Sequence, residues 1–293
     1  MTPQHHLPAD IERTSISIIT RELDELGLTP PPETAAVVKR VIHTTADFDY
    51  AKNLRFTPGA VEAAVKALHA GAFIVTDTNM ALAGITKPGL KKLNGEAICY
   101  MADPAVAEAA KQAGTTRAVA AMHRAAREHP GAILAIGNAP TALLTIAEGM
   151  EAGLRPALVI GVPVGFVNVV ESKEVLFAAC ERYGVPAIAA MGRKGGSNVA
   201  AAICNAPHLL CRRNAGPLCQ RVERIRRKQH NIKNPEPFLS RFGREKVPGF
   251  VHDFFRELFC NSPIFTEKVR TEHGIHTAGI RLRGTSCSTL RSP

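Results

Sequence analysis

Five short stretches of the chain are almost wholly apolar: residues 72–76, 97–101, 132–136, 157–160 and 187–191. A strand covered on one face alternates apolar and polar positions, and these do not. They predict strands buried on both faces of a parallel sheet. Between them, residues 105–113, 116–128, 141–152 and 173–183 carry apolar side chains at three- and four-residue spacing, with Ala, Glu, Lys and Arg filling the rest. That is the pattern of amphipathic helices. Two more helical stretches, 11–26 and 33–42, precede the first strand, and Pro30, Pro31 and Pro32 separate them. Those prolines stop one helix and set the start of the next. The repeat of strand and helix predicts an α/β fold, a three-layer sandwich with a mostly parallel sheet of about five strands and right-handed crossovers. A last helix is expected over 198–205, cut short by Pro207.

Charge divides the chain. The formal net charge is +10, from 36 Lys and Arg against 26 Asp and Glu. Residues 1–206 carry 19 of each sign, so the whole excess lies in 207–293, with 17 basic and 7 acidic side chains. Seven of the twelve Phe also fall there. We therefore expect a neutral, Ala-rich domain over 1–206 and an irregular basic C-terminal tail over 207–293. An out-of-frame continuation or a fused segment would produce such a break, and the tail is not expected to be needed for catalysis. The segment Arg224-Ile225-Arg226-Arg227-Lys228 raises a competing reading, a nucleic-acid-binding protein with an α/β scaffold. The neutral body and the lack of a nucleic-acid module argue against it.

Seven scattered Cys form no paired framework, which fits a reducing cytoplasm. No stretch is apolar enough to cross a membrane, and residues 1–10 hold no signal-peptide core. Neither the histidines of the body nor the Cys and His of the tail have metal-ligand spacing, so no metal is expected.

In open parallel sheets ligands sit beyond the carboxyl ends of the strands. Those ends lead into Asp77-Thr78-Asn79-Met80, Gly137-Asn138-Ala139-Pro140-Thr141, Gly161-Val162-Pro163-Val164-Gly165-Phe166-Val167 and Gly192-Arg193-Lys194-Gly195-Gly196-Ser197. The last suits an anion: Gly195 and Gly196 can turn N–H groups inward, Ser197 can cap the following helix, and Arg193 and Lys194 add positive charge. A plain glycine turn with two solvated charges fits the same residues. There is no Walker A spacing and no Gly-x-Gly-x-x-Gly. His43 ends a helix, where the dipole favours imidazolium, and Thr44, Thr45, Asp47 and Asp49 follow. It reads as a proton donor or as a helix-capping histidine.

These segments, together with His43-Thr44-Thr45-Ala46-Asp47 and the N-terminal Ile11-Glu12-Arg13-Thr14-Ser15, resemble the precorrin-8X methylmutase family in order and spacing across about residues 7–206. The resemblance implies a cytoplasmic, homodimeric isomerase of cobalamin biosynthesis that uses no cofactor. It moves a methyl group from C-11 to C-12 of precorrin-8X or cobalt-precorrin-8, giving hydrobyrinate or cobyrinate. The family's catalytic histidine falls on His43, which would protonate the tetrapyrrole and ease a [1,5]-sigmatropic shift. The substrate is a large apolar ring with many carboxylates. Arg193, Lys194, Arg117 and the N–H groups of Gly161, Gly165, Gly195 and Gly196 would answer the carboxylates. Val162, Val164, Phe166 and Met80 would face the ring, while Thr44, Thr45, Asp77, Asn138 and Ser197 would orient polar groups. Arg117 also reads as a solvated helix residue.

Overall fold

The structure, a computed structural model, describes residues 8–212, with side chains placed for 10–206. All of these belong to the first of the two units into which the chain divides, Met1–His230. The expectations for the basic tail lie outside the described residues.

The chain opens with two helices, α1 (Pro8–Glu25) and α2 (Ala35–Thr45), then a single turn, α3 (Tyr50–Asn53), and a short strand, β1 (Leu54–Phe56). Helix α4 (Ala60–His69) leads to β2 (Ile74–Thr76), α5 (Asn79–Gly84), α6 (Lys87–Lys92) and β3 (Ala97–Cys99). Next come α7 (Pro104–Gln112), α8 (Arg117–Glu128), β4 (Ile133–Ile136) and α9 (Pro140–Glu151). The domain ends with β5 (Leu158–Gly161), α10 (Val169–Tyr183), β6 (Ala187–Ala190) and α11 (Ser197–Arg212).

The six strands lie in the order β1-β6-β5-β4-β2-β3. The five apolar stretches are β2 to β6, all parallel to one another. Their side chains divide between two apolar layers. Ile133, Ala135, Leu158 and Ile160 meet α1, α2, α4 and α11 on one face. Leu134, Ile136, Val159 and Ala187 meet the α8, α9 and α10 side on the other. Alternate residues thus point to opposite layers, and both layers are apolar, so the strands show no polar period.

Two features depart from expectation. The sheet has six strands, because β1 pairs antiparallel with β6, Leu54 opposite Ala190 and Phe56 opposite Ile188. Three residues with an exposed Arg55 in the middle carry too little apolar pattern to mark an edge strand. Helix α11 runs on through Pro207 to Arg212 instead of stopping. Proline removes one N–H from the helical ladder, and the apolar packing of Val199, Ala200 and Ile203 against the α2 and α4 layer holds the helix up to that point.

The topology also marks a place for a ligand. From β2 the chain moves outward to β3, then crosses back to lay β4 on β2's other side, which makes the carboxyl ends of β2 and β4 a topological switch point. No helix among the described residues is long and apolar enough to cross a membrane.

Candidate functional site

Asp77 closes the switch point. Its carboxylate follows β2 and accepts three backbone N–H bonds from the turn after β4: Gly137 at 2.8 Å, Asn138 at 2.8 Å and Ala139 at 2.7 Å. At 1% exposure it lies beneath the surface, braced between two strand ends. Burial raises its pKa, and the three N–H donors pull the other way by favouring the ionised form. Asp77 thus acts as a brace: its oxygens accept from the loop that presents Asn138, which is exposed.

The loop after β6 is built by close approach. A Cβ on Gly195 would sit 2.1 Å from the carbonyl oxygen of Val162 and 2.7 Å from that of Pro163. A Cβ on Gly137 would lie 2.7 Å from Ser197 Cα. These glycines let three strand ends touch. The Gly196 N–H donates to Val162 O at 2.8 Å, so it is not free for an anion. Ser197 is the first residue of α11, and its hydroxyl meets Thr78 Oγ1 at 2.8 Å rather than capping the helix. Gly161 is buried against Leu176, and Val162 is wholly buried, so neither lines the surface.

The two adjacent cations part company. Lys194 Nζ binds Asp47 Oδ2 at 2.7 Å and Asp49 Oδ2 at 2.5 Å, pinning the loop after α2 to the loop after β6. The two carboxylates raise its pKa, and its charge is already answered. Lys194 therefore pins the two loops together. Arg193 makes no ion pair among the described residues; its guanidinium lies 5.5 Å from the centre of the Phe166 ring. Arg117 is exposed at the first turn of α8, where the helix dipole disfavours a cation. Thr116 caps that helix through Val119 N–H at 3.2 Å, and its hydroxyl lies 3.3 Å from that of Thr141. This contact sets Arg117 at the same sheet edge as the turn after β4.

His43 stands in the last turn of α2, which ends in a left-handed Ala46 whose N–H returns to Ile42 O. Its Nδ1 is 2.7 Å from Ser15 Oγ on α1. The Arg40–Glu12 pair, at 3.3 Å, joins the same two helices one turn away. Thr44 and Thr45 donate back to Arg40 O and Val41 O, so both hydroxyls serve their own helix. Around this edge Phe166 is 82% exposed and Met80 72%, with Val164 and Val167 also open. These are half of the large apolar side chains exposed among the described residues, an unusual concentration for a surface that binds nothing. Gly165, at φ 151°, carries the backbone between Val164 and Phe166.

Two residues had gone without a role. Ser15 was visible only as part of a motif, since its partner is 28 residues away. Lys173 of α10 is 0% exposed, and its Nζ donates to Gly192 O at 2.7 Å and Lys194 O at 2.9 Å. Burial pulls its pKa down to about 8. Its spacing held a signal: with Val169, Leu176, Phe177 and Cys180 it lies on the helix's buried stripe. Among the described residues no three His, Cys, Asp or Glu gather as a metal ion would require. A groove of about 620 Å³ beside β1, lined by Pro30, Val38, Leu54 and Phe56, contains none of these residues.

A mostly parallel sheet with polar and glycine-rich loops gathered at a switch point is the architecture of an α/β enzyme. Residues 10–209 match the family model of precorrin-8X methylmutase, and the chain belongs to that family. It is 46% identical over 206 residues to the cobalt-precorrin-8 methylmutase of Salmonella typhimurium, covering 68% of this chain and 93% of that one. It is 41% identical over 197 residues to the precorrin-8X methylmutase of Pseudomonas aeruginosa, covering 67% and 92%. The crystal structure of precorrin-8X methyl mutase from Thermus thermophilus superposes with a TM-score of 0.60 at 41% identity, covering 69% of this chain and 97% of that one.

Proposed function

We propose that this chain moves the methyl group from C-11 to C-12 of precorrin-8X, or of its cobalt form, with His43 as the proton donor. The reading rests on one observation above others: His43 is half-buried, and its Nδ1 is held by Ser15 at 2.7 Å. Ser15 at Nδ1 orients the ring and leaves Nε2 as the nitrogen that presents a proton. That proton is the one the macrocycle needs. Protonation of a ring nitrogen draws electron density from the carbon framework and lowers the barrier to a [1,5] shift. The migrating methyl stays with the substrate, so the protein supplies a proton, orientation and exclusion of water.

Binding divides between apolar and cationic groups. Met80, Val164 and Phe166 offer apolar area for the ring, and Arg193 and Arg117 offer unpaired guanidinium groups for its carboxylates. The same exposed apolar loops fit a homodimer, in which a second copy would cover part of them. The family match ending at residue 209 supports a catalytic domain over 1–206 that works without the tail.

The experiment is His43→Ala with precorrin-8X, followed by the absorbance of hydrobyrinate. Turnover is expected to fall by about 10²-fold or more, the size of a general acid's contribution, while hydrobyrinate affinity changes less than about threefold. Turnover within about threefold of wild type would reduce His43 to a helix cap.

A further inference from the structure

We infer that Lys173 is a positioning residue that aims Arg193 at the ligand. The inference rests on Arg193 binding a carboxylate of the corrinoid. Three successive carbonyls of the loop after β6 are held from within. Lys173 Nζ takes those of Gly192 and Lys194, at 2.7 and 2.9 Å. The Gly165 N–H takes the one between them, Arg193 O, at 3.2 Å. With all three carbonyls engaged, the backbone is fixed on both sides of the Arg193 side chain. Arg193 reaches the Phe166 ring, and Lys194 reaches Asp47 and Asp49.

Lys173 is an expensive choice for this place. It is wholly buried, among Val169, Leu176 and Phe177, and forms no ion pair among the described residues. An apolar side chain of similar volume would avoid the cost of desolvating an amine. What an apolar side chain lacks is two donors on one atom at the end of a long stem, the feature that ties residue 192 to residue 194. The two ties flank Arg193, the one cation of this loop that Lys194's partners leave free.

The test is a double-mutant cycle in the full-length protein, with wild type, Arg193→Ala, Lys173→Met and the double variant. Each is titrated with hydrobyrinate and assayed at saturating substrate. Arg193→Ala is expected to weaken binding roughly tenfold, as for a shielded charge-assisted bond. Lys173→Met should weaken it about fivefold with kcat within about threefold. The double variant should be no weaker than Arg193→Ala alone, because the aim of a missing side chain does not matter. Wild-type affinity in Lys173→Met, or additive losses in the double variant, would overturn the role of Lys173 and leave Arg193 as a ligand group. Wild-type affinity in Arg193→Ala would instead overturn the reading on which it rests. Should Lys173→Met not fold, Lys173→Gln, whose shorter and uncharged amide NH2 reaches the carbonyls less well, enters the same cycle with an intermediate loss expected. If neither folds, Lys173 serves folding alone and the inference fails.

Discussion

Asp77→Asn tests whether the switch point is held together as described. The substitution keeps shape and volume but replaces one carboxylate oxygen with an NH2 group. Asn138 and Ala139 both donate to Oδ2, whereas Gly137 alone donates to Oδ1. The favoured orientation of the amide therefore keeps its oxygen at the Oδ2 position and sets its NH2 against the Gly137 N–H. One buried donor then loses its acceptor, which costs about 1–3 kcal/mol, and two charge-assisted bonds become neutral ones, losing about 1 kcal/mol each. Against this, the variant no longer buries a charge at a place 1% exposed, the burial that raises the pKa of Asp77. We expect a net loss of about 2 kcal/mol. Guanidinium unfolding should show it as a lower midpoint with an unchanged slope. A variant as stable as wild type would refute the brace, since no arrangement of an amide satisfies all three donors. Hydrobyrinate titration of the same protein should show weaker binding, because the loop carrying Asn138 is no longer tied to β2.

Ser15→Ala removes the partner of His43 Nδ1, a bond of about 1 kcal/mol, and should lower kcat about fivefold with product affinity within about twofold. An unchanged kcat would mean that the serine does not orient the histidine for proton donation. Gly195→Ala places a methyl 2.1 Å from a backbone oxygen and should cost at least about 2 kcal/mol in thermal or denaturant unfolding. Gly161→Ala meets only the far end of Leu176, at 2.6 Å, and should cost less, about 1 kcal/mol; equal losses would show that the loop after β6 yields freely.

The five parallel strands were legible because burial on both faces leaves a local mark, a run without polar alternation, that a reader of the chain can see. Strand β1 left no such mark, since its pairing sets Leu54 opposite Ala190, far along the chain, and its three side chains include an exposed arginine. The same distinction runs through the site. Which loops would carry the chemistry followed from the rule that ligands sit at strand carboxyl ends. Which side chains in them remain available did not follow, because that depends on partners far away in sequence. Lys194 and Arg193 look equivalent as neighbours in a glycine-rich turn, yet Lys194 finds Asp47 147 residues back and Asp49 145 residues back. The sequence suggests a cradle of N–H groups in these glycines; the close approach between backbones that they also provide is visible only once Val162 and Gly195 are seen face to face.

These long-range partners also explain how a neutral domain can present positive charge to a carboxylate-rich ligand. Asp47 and Asp49 answer Lys194, and Asp77 is consumed by three N–H groups, so the acidic side chains nearest the loops are already spent. Arg193 and Arg117 stand without carboxylate partners among the described residues, and an arginine left in that state beside exposed apolar side chains is poised for bidentate contact with a planar anion. The domain's charge balance is zero as a sum, but at this edge the pairing leaves the surplus on the arginines. On the proposed reading, a body neutral on counting would meet an anionic ligand through the way its ion pairs are distributed.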